Sequence, residues 1–259
     1  MSSEHQGPES IPAVVLAAGK GTRMKASAAK AAVHLNGRPM AARVIDSLRG
    51  AGIHRIIAVV GHRAAEVSAA IGDHVEYVFQ EEQFGTGHAA RCAEPCLLGY
   101  EGPVVISYAD IPLLSHTDFT DLISHHLRTG AVATILTARF DNPGTLGRII
   151  RGPDGGARAI VEARDATPDQ LRIREINVGV YCFTAPLVFE VLAEASNDNV
   201  QGQYYLTDAI GMLACRGERV EALSLKSAHA GIGVDTIEDL SRAAHLLLHV
   251  PSASDTARN

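Results

Sequence analysis

The sequence predicts an α/β fold: a parallel sheet with helices on both faces, and a β-rich flap inserted in the second half. Three observations lead there. Short apolar runs rich in β-branched residues recur through the first half without polar alternation, as in strands covered on both sides. Amphipathic segments fall between them, and that rhythm implies right-handed βαβ units. After residue 130 the pattern changes, and strands follow one another through Gly- and Pro-rich turns.

In chain order, 13–17 reads as the first strand and 39–51 as the first helix, with Pro39 in its opening turn, where the missing N–H would have no partner anyway. A strand at 56–60, a helix at 64–71, a strand at 75–79, a helix at 87–96 and a strand at 104–108 complete the first half. The flap reads as strands at 132–138, 147–151, 158–162 and 176–183. Pro153-Asp154-Gly155-Gly156 supplies a strong hairpin signal between two of them. Helices return at 186–195 and 205–216, followed by a strand at 220–225 and a closing helix at 236–248. With no repeat, low-complexity tract or linker, 11–250 reads as one domain, and 1–10 and 251–259 as loose tails.

At 259 residues the chain can bury roughly 70–75% of its unfolded surface, so its core needs neither disulfides nor a structural metal. Lys plus Arg number 23 against 29 Asp plus Glu, a net charge of −6, which excludes duplex binding by charge alone. No nucleic-acid partner is expected. Cys92, Cys96, Cys182 and Cys215 include no C-x-x-C pair, so zinc spacing is absent. Cys92 and Cys96, one turn apart on a helix, read as buried thiols in a reducing compartment. The polar, acidic start lacks the features of a secretion signal. The longest apolar stretches, 11–18 and 243–248, fall short of the ~20 residues of a membrane span, and a soluble cytoplasmic protein is expected.

The segment Leu16-Ala17-Ala18-Gly19-Lys20-Gly21-Thr22-Arg23-Met24 follows the first strand, where an α/β sheet places its ligand crevice. A dinucleotide-binding turn would need glycine at position 24 and an acid at a strand end about 20 residues on, but Met24 occupies the first and Asp46 lies mid-helix. The spacing of Gly19 and Gly21 also fails the P-loop pattern. A merely tight turn would leave three cations unexplained: Lys20, Arg23 and Lys25. A loop that wraps a nucleoside triphosphate, with Arg23 on its phosphates, accounts for both glycines and cations.

Three further motifs accompany this loop: Gln80-Glu81-Glu82-Gln83-Phe84-Gly85-Thr86-Gly87-His88-Ala89, Tyr108-Ala109-Asp110-Ile111-Pro112-Leu113 and Glu175-Ile176-Asn177-Val178-Gly179. In this order and spacing the chain, over about residues 12–250, resembles the sugar-1-phosphate nucleotidyltransferases. Within them it resembles the uridyltransferase half of the bifunctional N-acetylglucosamine-1-phosphate uridyltransferase/glucosamine-1-phosphate acetyltransferases. No counterpart of their acetyltransferase β-helix is expected in this chain. The resemblance implies a Rossmann-like, mixed, mostly parallel sheet flanked by helices, with a β-rich sugar-binding insertion. It divides the domain into a mainly nucleotide-binding 11–130 and a mainly sugar-binding 131–235.

The resemblance also implies roles. Leu16, Ala17, Ala18, Gly19 and Gly21 would line the nucleotide with Tyr108 and Ala109, while Arg23 and Lys30 would act catalytically on phosphate charge. Where the family carries Pro-Lys, this chain has Ala29-Lys30, which leaves the approach of the lysine less rigidly fixed. Gln80, whose amide both donates and accepts, would read uracil, with Gly85 and Thr86 completing that pocket. His88 reads as packing at the start of its helix and not as a general base. Gly147, Glu162, Asn177, Tyr205 and Thr207 would contact the sugar.

Asp110 ends an apolar strand, where it could cap a following helix or, as the resemblance implies, bind magnesium. Asp235 in Gly231-Ile232-Gly233-Val234-Asp235-Thr236 would be the second ligand, and it could also cap the closing helix. The bifunctional enzymes have asparagine there, whereas thymidylyl- and other hexose-1-phosphate nucleotidyltransferases have two aspartates. The expected activity is magnesium-dependent transfer of UMP from UTP to N-acetylglucosamine 1-phosphate. The alternatives are another hexose 1-phosphate, dTTP in place of UTP, or a non-catalytic sugar-nucleotide sensor. A Rossmann oxidoreductase is the weakest alternative, failing at Met24.

Overall fold

A computed structural model of the chain describes residues 11–24, 26 and 28–249. The expected tails, and Lys25 of the glycine loop, lie outside these residues. In order, the elements are β1 (Ala13–Leu16), β2 (His34–Leu35), β3 (Arg38–Pro39), α1 (Met40–Gly50), β4 (Ile56–Val60), α2 (Ala64–Ile71), β5 (Glu76–Phe79), α3 (Thr86–Cys92) and β6 (Pro103–Tyr108). Then come α4 (His116–Thr129), β7 (Ala133–Arg139), β8 (Arg148–Arg151), β9 (Ala157–Val161), α5 (Pro168–Leu171), β10 (Glu175–Thr184), α6 (Ala185–Glu194), α7 (Asp208–Cys215), β11 (Val220–Ser224) and α8 (Ile237–His249).

The main sheet runs β11-β7-β10-β6-β1-β4-β5, with the β8–β9 hairpin attached to β10. β1 pairs in parallel with β4 and β6, and β5 with β4, while β10 is antiparallel to both β6 and β7. Along that path the sheet is therefore mixed but mostly parallel, as the resemblance implies, and the flap strands expected at 132–138 and 176–183 are β7 and β10 within the main sheet, with only the β8–β9 hairpin lying off it. All four residues of β1 are buried, consistent with an uninterrupted apolar run covered on both faces.

One face packs Val44, Ile45 and Leu48 of α1 and Phe119, Leu122 and Ile123 of α4 against the sheet. The other packs α3, α6 and α7 together with Ile149 and Ile160 of the hairpin. Each fully buried aliphatic or aromatic side chain contributes about 1.5–3 kcal/mol relative to exposure. A third, smaller core gathers Met24, Leu35, Met40, Val234 and Ala243. It clamps the glycine loop and the segment before α8 to each other, which matters for the site.

Several boundaries differ from the sequence reading. The sequence reading gives no bounds for α4, the helix that follows Asp110, because its buried stripe is only Phe119, Leu122, Ile123 and His126 in an otherwise polar segment. Its ends were nonetheless marked, by a Ser115/Asp118 capping box and by Gly130 at φ 62°. The helix expected over 87–96 stops at Cys92, and a separate 3-10 turn follows at Glu94–Leu97. Cys92 and Cys96 are half-buried rather than buried, and Cys215 is exposed. Pro39 precedes α1 as its N-cap instead of occupying the first turn. Among the described residues, no helix is long and apolar enough to cross a membrane.

Candidate active site

The loop after β1 is pinned to its neighbours by backbone hydrogen bonds. Ala109 N–H donates to Leu16 O at 3.1 Å, Ala17 N–H to Val59 O at 2.8 Å and His62 N–H to Ala18 O at 3.2 Å. Leu16, Ala17 and Ala18 are thereby buried at the carboxyl ends of the strands, while Gly19 and Lys20 are exposed. Met24, at 1% exposure, plugs the third core and closes the loop. A glycine is required at position 21. Its φ is +60°, and a Cβ there would stand 2.5 Å from Lys30 Cβ.

Lys30 opens a short 3-10 turn, Lys30–Ala32. The missing proline does not loosen it. Ala29 already adopts φ −58°, and its N–H, which a proline would lack, donates to Glu66 Oε1 at 2.8 Å. Glu66 is in turn paired with Arg63 at 2.6 Å.

Lys30 Nζ donates to both Asp110 Oδ2 and Asp235 Oδ1. Arg23 Nη2 lies 2.9 Å from Asp235 Oδ1. Four residues spread over more than 200 positions thus meet in one cleft. The lysine side chain is 13% exposed and each aspartate 24%. Burial alone disfavours the Lys30 charge, but the two carboxylates outweigh it and hold the ammonium above its ordinary pKa. Neither aspartate caps a helix. Ser115 caps α4, and Thr236 caps α8, with Asp239 N–H donating to Thr236 Oγ1 at 3.1 Å. Both carboxylates are left for the cleft. Val234 N–H donates to Asp110 O at 2.8 Å and locks the two segments together.

Gln80 leaves β5 with its side chain 2% exposed. Its Nε2 donates to Gly85 O at 3.1 Å and lies 2.9 Å from His88 Nδ1. The loop carrying Gly85 and Thr86 is tied to the segment before α7. Tyr204 N–H donates to Phe84 O and Gly87 N–H to Tyr204 O, both at 2.8 Å, and Leu206 N–H to Thr86 Oγ1 at 3.0 Å.

The expected sugar contacts also converge. Asn177 N–H donates to Gly147 O at 2.9 Å, and a Cβ on Gly147 would come within 3.5 Å of the Glu162 carboxylate. Thr207 Oγ1 donates to Glu162 Oε1 at 3.1 Å. Burial pushes the Glu162 carboxyl up, with the Thr207 hydrogen bond opposing part of that rise. Asn177 donates to the Tyr181 hydroxyl at 2.7 Å and accepts from Gly179 N–H at 3.0 Å, bracing the irregular stretch of β10. Tyr205 and Thr207 sit in the turn before α7, not in the helix, which starts at Asp208; Tyr205 OH accepts from Gln201 Nε2 at 2.7 Å. Tyr108, raised by burial, is close enough to feel both Glu162 and Asp110, so it joins this cluster to the carboxylate pair.

His88 packs in the first turn of α3, where the sequence reading has it, with its ring edge-on to Phe84; only the tertiary structure reveals its contact with Gln80.

A family described as "MobA-like NTP transferase domain" matches residues 13–206. Among curated proteins, the chain is similar to the bifunctional protein GlmU of Acetivibrio thermocellus, 41% identical over 239 residues, 92% of this chain and 52% of that protein. The protein of the same name from Exiguobacterium sibiricum is 43% identical over 231 residues, 89% of this chain and 51% of that one. That of Geobacter sulfurreducens is 43% identical over 238 residues, 91% and 50%. The chain spans about half the length of these relatives. Among solved structures, a UDP-glucose pyrophosphorylase complexed with UDP-glucose superposes with a TM-score of 0.74 at 19% identity, covering 92% of this chain and 98% of that one. At that identity the likeness is one of fold.

Proposed function

The chain belongs to the MobA-like NTP transferase family, and from that membership we propose that it transfers UMP from UTP to N-acetylglucosamine 1-phosphate, releasing pyrophosphate. The observation that carries this reading is the meeting of Asp110, Asp235, Lys30 and Arg23 in one cleft beside the Glu162 and Thr207 cluster. Identity of 41–43% to bifunctional GlmU proteins supports the choice of substrates.

An oxygen of the sugar phosphate attacks the α-phosphorus in line, one P–O bond forming as the bond to pyrophosphate breaks. That oxygen is already ionised near neutral pH, so no side chain is needed to remove a proton. Lys30 and Arg23 offset the charge that builds on the departing phosphates. Gln80, Gly85 and Thr86 hold the uracil, and Gly147, Glu162, Asn177, Tyr205 and Thr207 the sugar. On this reading 11–130 serves mainly the nucleotide and 131–235 mainly the sugar, in the cytoplasm.

The donor set fits magnesium. Asp110 and Asp235 are hard oxygen donors held side by side and partly open to the cleft, and Mg²⁺ takes one or two protein carboxylates with water and phosphate completing its shell. When bound there, the ion supplies charge neutralisation on the triphosphate.

Asp235 favours one second reading, the same chemistry on another hexose 1-phosphate or with dTTP. Pyrophosphate release from UTP, dTTP and CTP, each with N-acetylglucosamine 1-phosphate and glucose 1-phosphate in magnesium, tests both. UTP with N-acetylglucosamine 1-phosphate is expected to be fastest. A faster alternative pair overturns the substrate assignment, and binding without pyrophosphate release from any pair points to a sensor.

A further inference from the structure

We infer that His88 is a positioning residue for the pyrimidine pocket, holding the Gln80 carboxamide so that the site takes a base bearing an N3–H, uracil or thymine, and rejects cytosine. This rests on the reading above in one respect, that Gln80 meets the base.

The argument starts from an acceptor. Gly85 O can only accept, so the Gln80 group 3.1 Å from it must be the amide nitrogen. The Gly85 carbonyl is itself fixed, because that residue sits at φ +112° and ψ 177°, a region essentially reserved for glycine. The second amide hydrogen then points to His88 Nδ1 at 2.9 Å. Since nitrogen donates there, Nδ1 must offer its lone pair, and the imidazole is neutral with its proton on Nε2. His88 lies in the first turn of α3 with its ring edge-on to Phe84, centroids 5.4 Å apart.

Both hydrogens of the Gln80 amide are therefore committed inside the protein. Rotating the carboxamide would set its oxygen against Gly85 O and against the Nδ1 lone pair. Among the described residues, no protein donor occupies Oε1, which is left to accept from a ligand. Uracil and thymine present an N3–H donor, whereas cytosine presents a lone pair at the same position. A locked acceptor discriminates between them, and a freely rotating amide does not. The Gly85 carbonyl supplies one half of the lock and His88 the other.

The test is the ratio of kcat/KM for UTP over CTP, with sugar phosphate and magnesium held constant. His88→Phe, which keeps the ring but removes the acceptor, is expected to lower that ratio about tenfold through KM for UTP, leaving KM for the sugar phosphate unchanged. His88→Asn, whose Oδ1 can replace Nδ1 as acceptor, is expected to restore it to within about threefold. An unchanged ratio in folded His88→Phe, or an equal loss in His88→Asn, overturns the proposal. Gln80→Ala separates the two levels. If it leaves the ratio untouched, the base reading at Gln80 fails. If it collapses the ratio while His88→Phe does not, only the role of His88 fails. Independently of how the variants fold, ring ¹⁵N spectroscopy of the wild-type protein should show the Nε2–H tautomer of His88, and the Nδ1–H tautomer would overturn the lock.

Discussion

Replacing Gly85 with alanine should be among the most damaging single-methyl changes in this protein, and its cost can be worked from three parts. The backbone at φ +112° and ψ 177° carries about 1–3 kcal/mol of strain for a residue with a side chain. The added Cβ would lie 2.4 Å from Tyr204 O and 2.9 Å from Gln203 Cβ. Backbone oxygen cannot rotate aside, so the two strands of the loop must part. That opens the hydrogen bonds from Tyr204 N–H to Phe84 O and from Gly87 N–H to Tyr204 O, each worth about 1 kcal/mol net. The sum is about 3–5 kcal/mol, or a fall in Tm on the order of 10 °C for a chain of this size. Because the same carbonyl orients Gln80, KM for UTP should rise as well. Gly155→Ala is the control, since it shares a positive φ of +81° but nothing stands within 4 Å of its Cβ, and it should cost only about 1 kcal/mol. Scanning calorimetry of both variants decides the matter: a Gly85→Ala midpoint within about 2 °C of Gly155→Ala refutes the steric argument.

Three further outcomes are expected. Asp110→Ala should lower pyrophosphate release by about 10³-fold or more, some 4 kcal/mol of transition-state stabilisation, while circular dichroism stays native; near-normal turnover in magnesium would defeat the metal assignment. Glu162→Gln should raise Tm at neutral pH, because the raised Glu162 pKa means that the folded protein bears the cost of a buried charge once pH passes that value. The advantage should vanish as pH falls below the ordinary carboxylate range, and a gap independent of pH would contradict it. His126, buried against Thr134 Oγ1 at 3.0 Å, is lowered by burial to about 4, so the folded state stays neutral where the unfolded chain takes up a proton. Stability should therefore be lost as pH falls from about 6.5 to 4, by about 3 kcal/mol in all, and denaturant titrations of His126→Asn should show a flatter acid limb.

How much was legible in advance depended on whether the signal was local. β1, β4 and β6 announce themselves as continuous apolar runs, and the glycine-rich loop after β1 marks the cleft. The extent of α4 is not legible in the sequence because a helix packed by one narrow stripe leaves most of its surface polar. The alanine before Lys30 suggested a looser lysine, and only the fold revealed that Glu66, 37 residues away, secures its N–H. Asp235 could be read as a helix cap from its place before Thr236, yet Thr236 does the capping, and the aspartate turns to Lys30 and Arg23.

The order of residues along the chain by itself determined the layered α/β plan and which chemical groups were on hand, because strand burial, turn glycines and motif spacing are properties of short segments. Only the tertiary structure decided which of those groups share a cleft. Lys30, Asp110 and Asp235 become neighbours because β1 lies beside β6 and because a small apolar core around Met24 and Val234 draws the chain's late segment over the glycine loop. The same holds for the Gln80 amide, whose hydrogens are assigned by a carbonyl and an imidazole that folding brings within 3.1 Å and 2.9 Å.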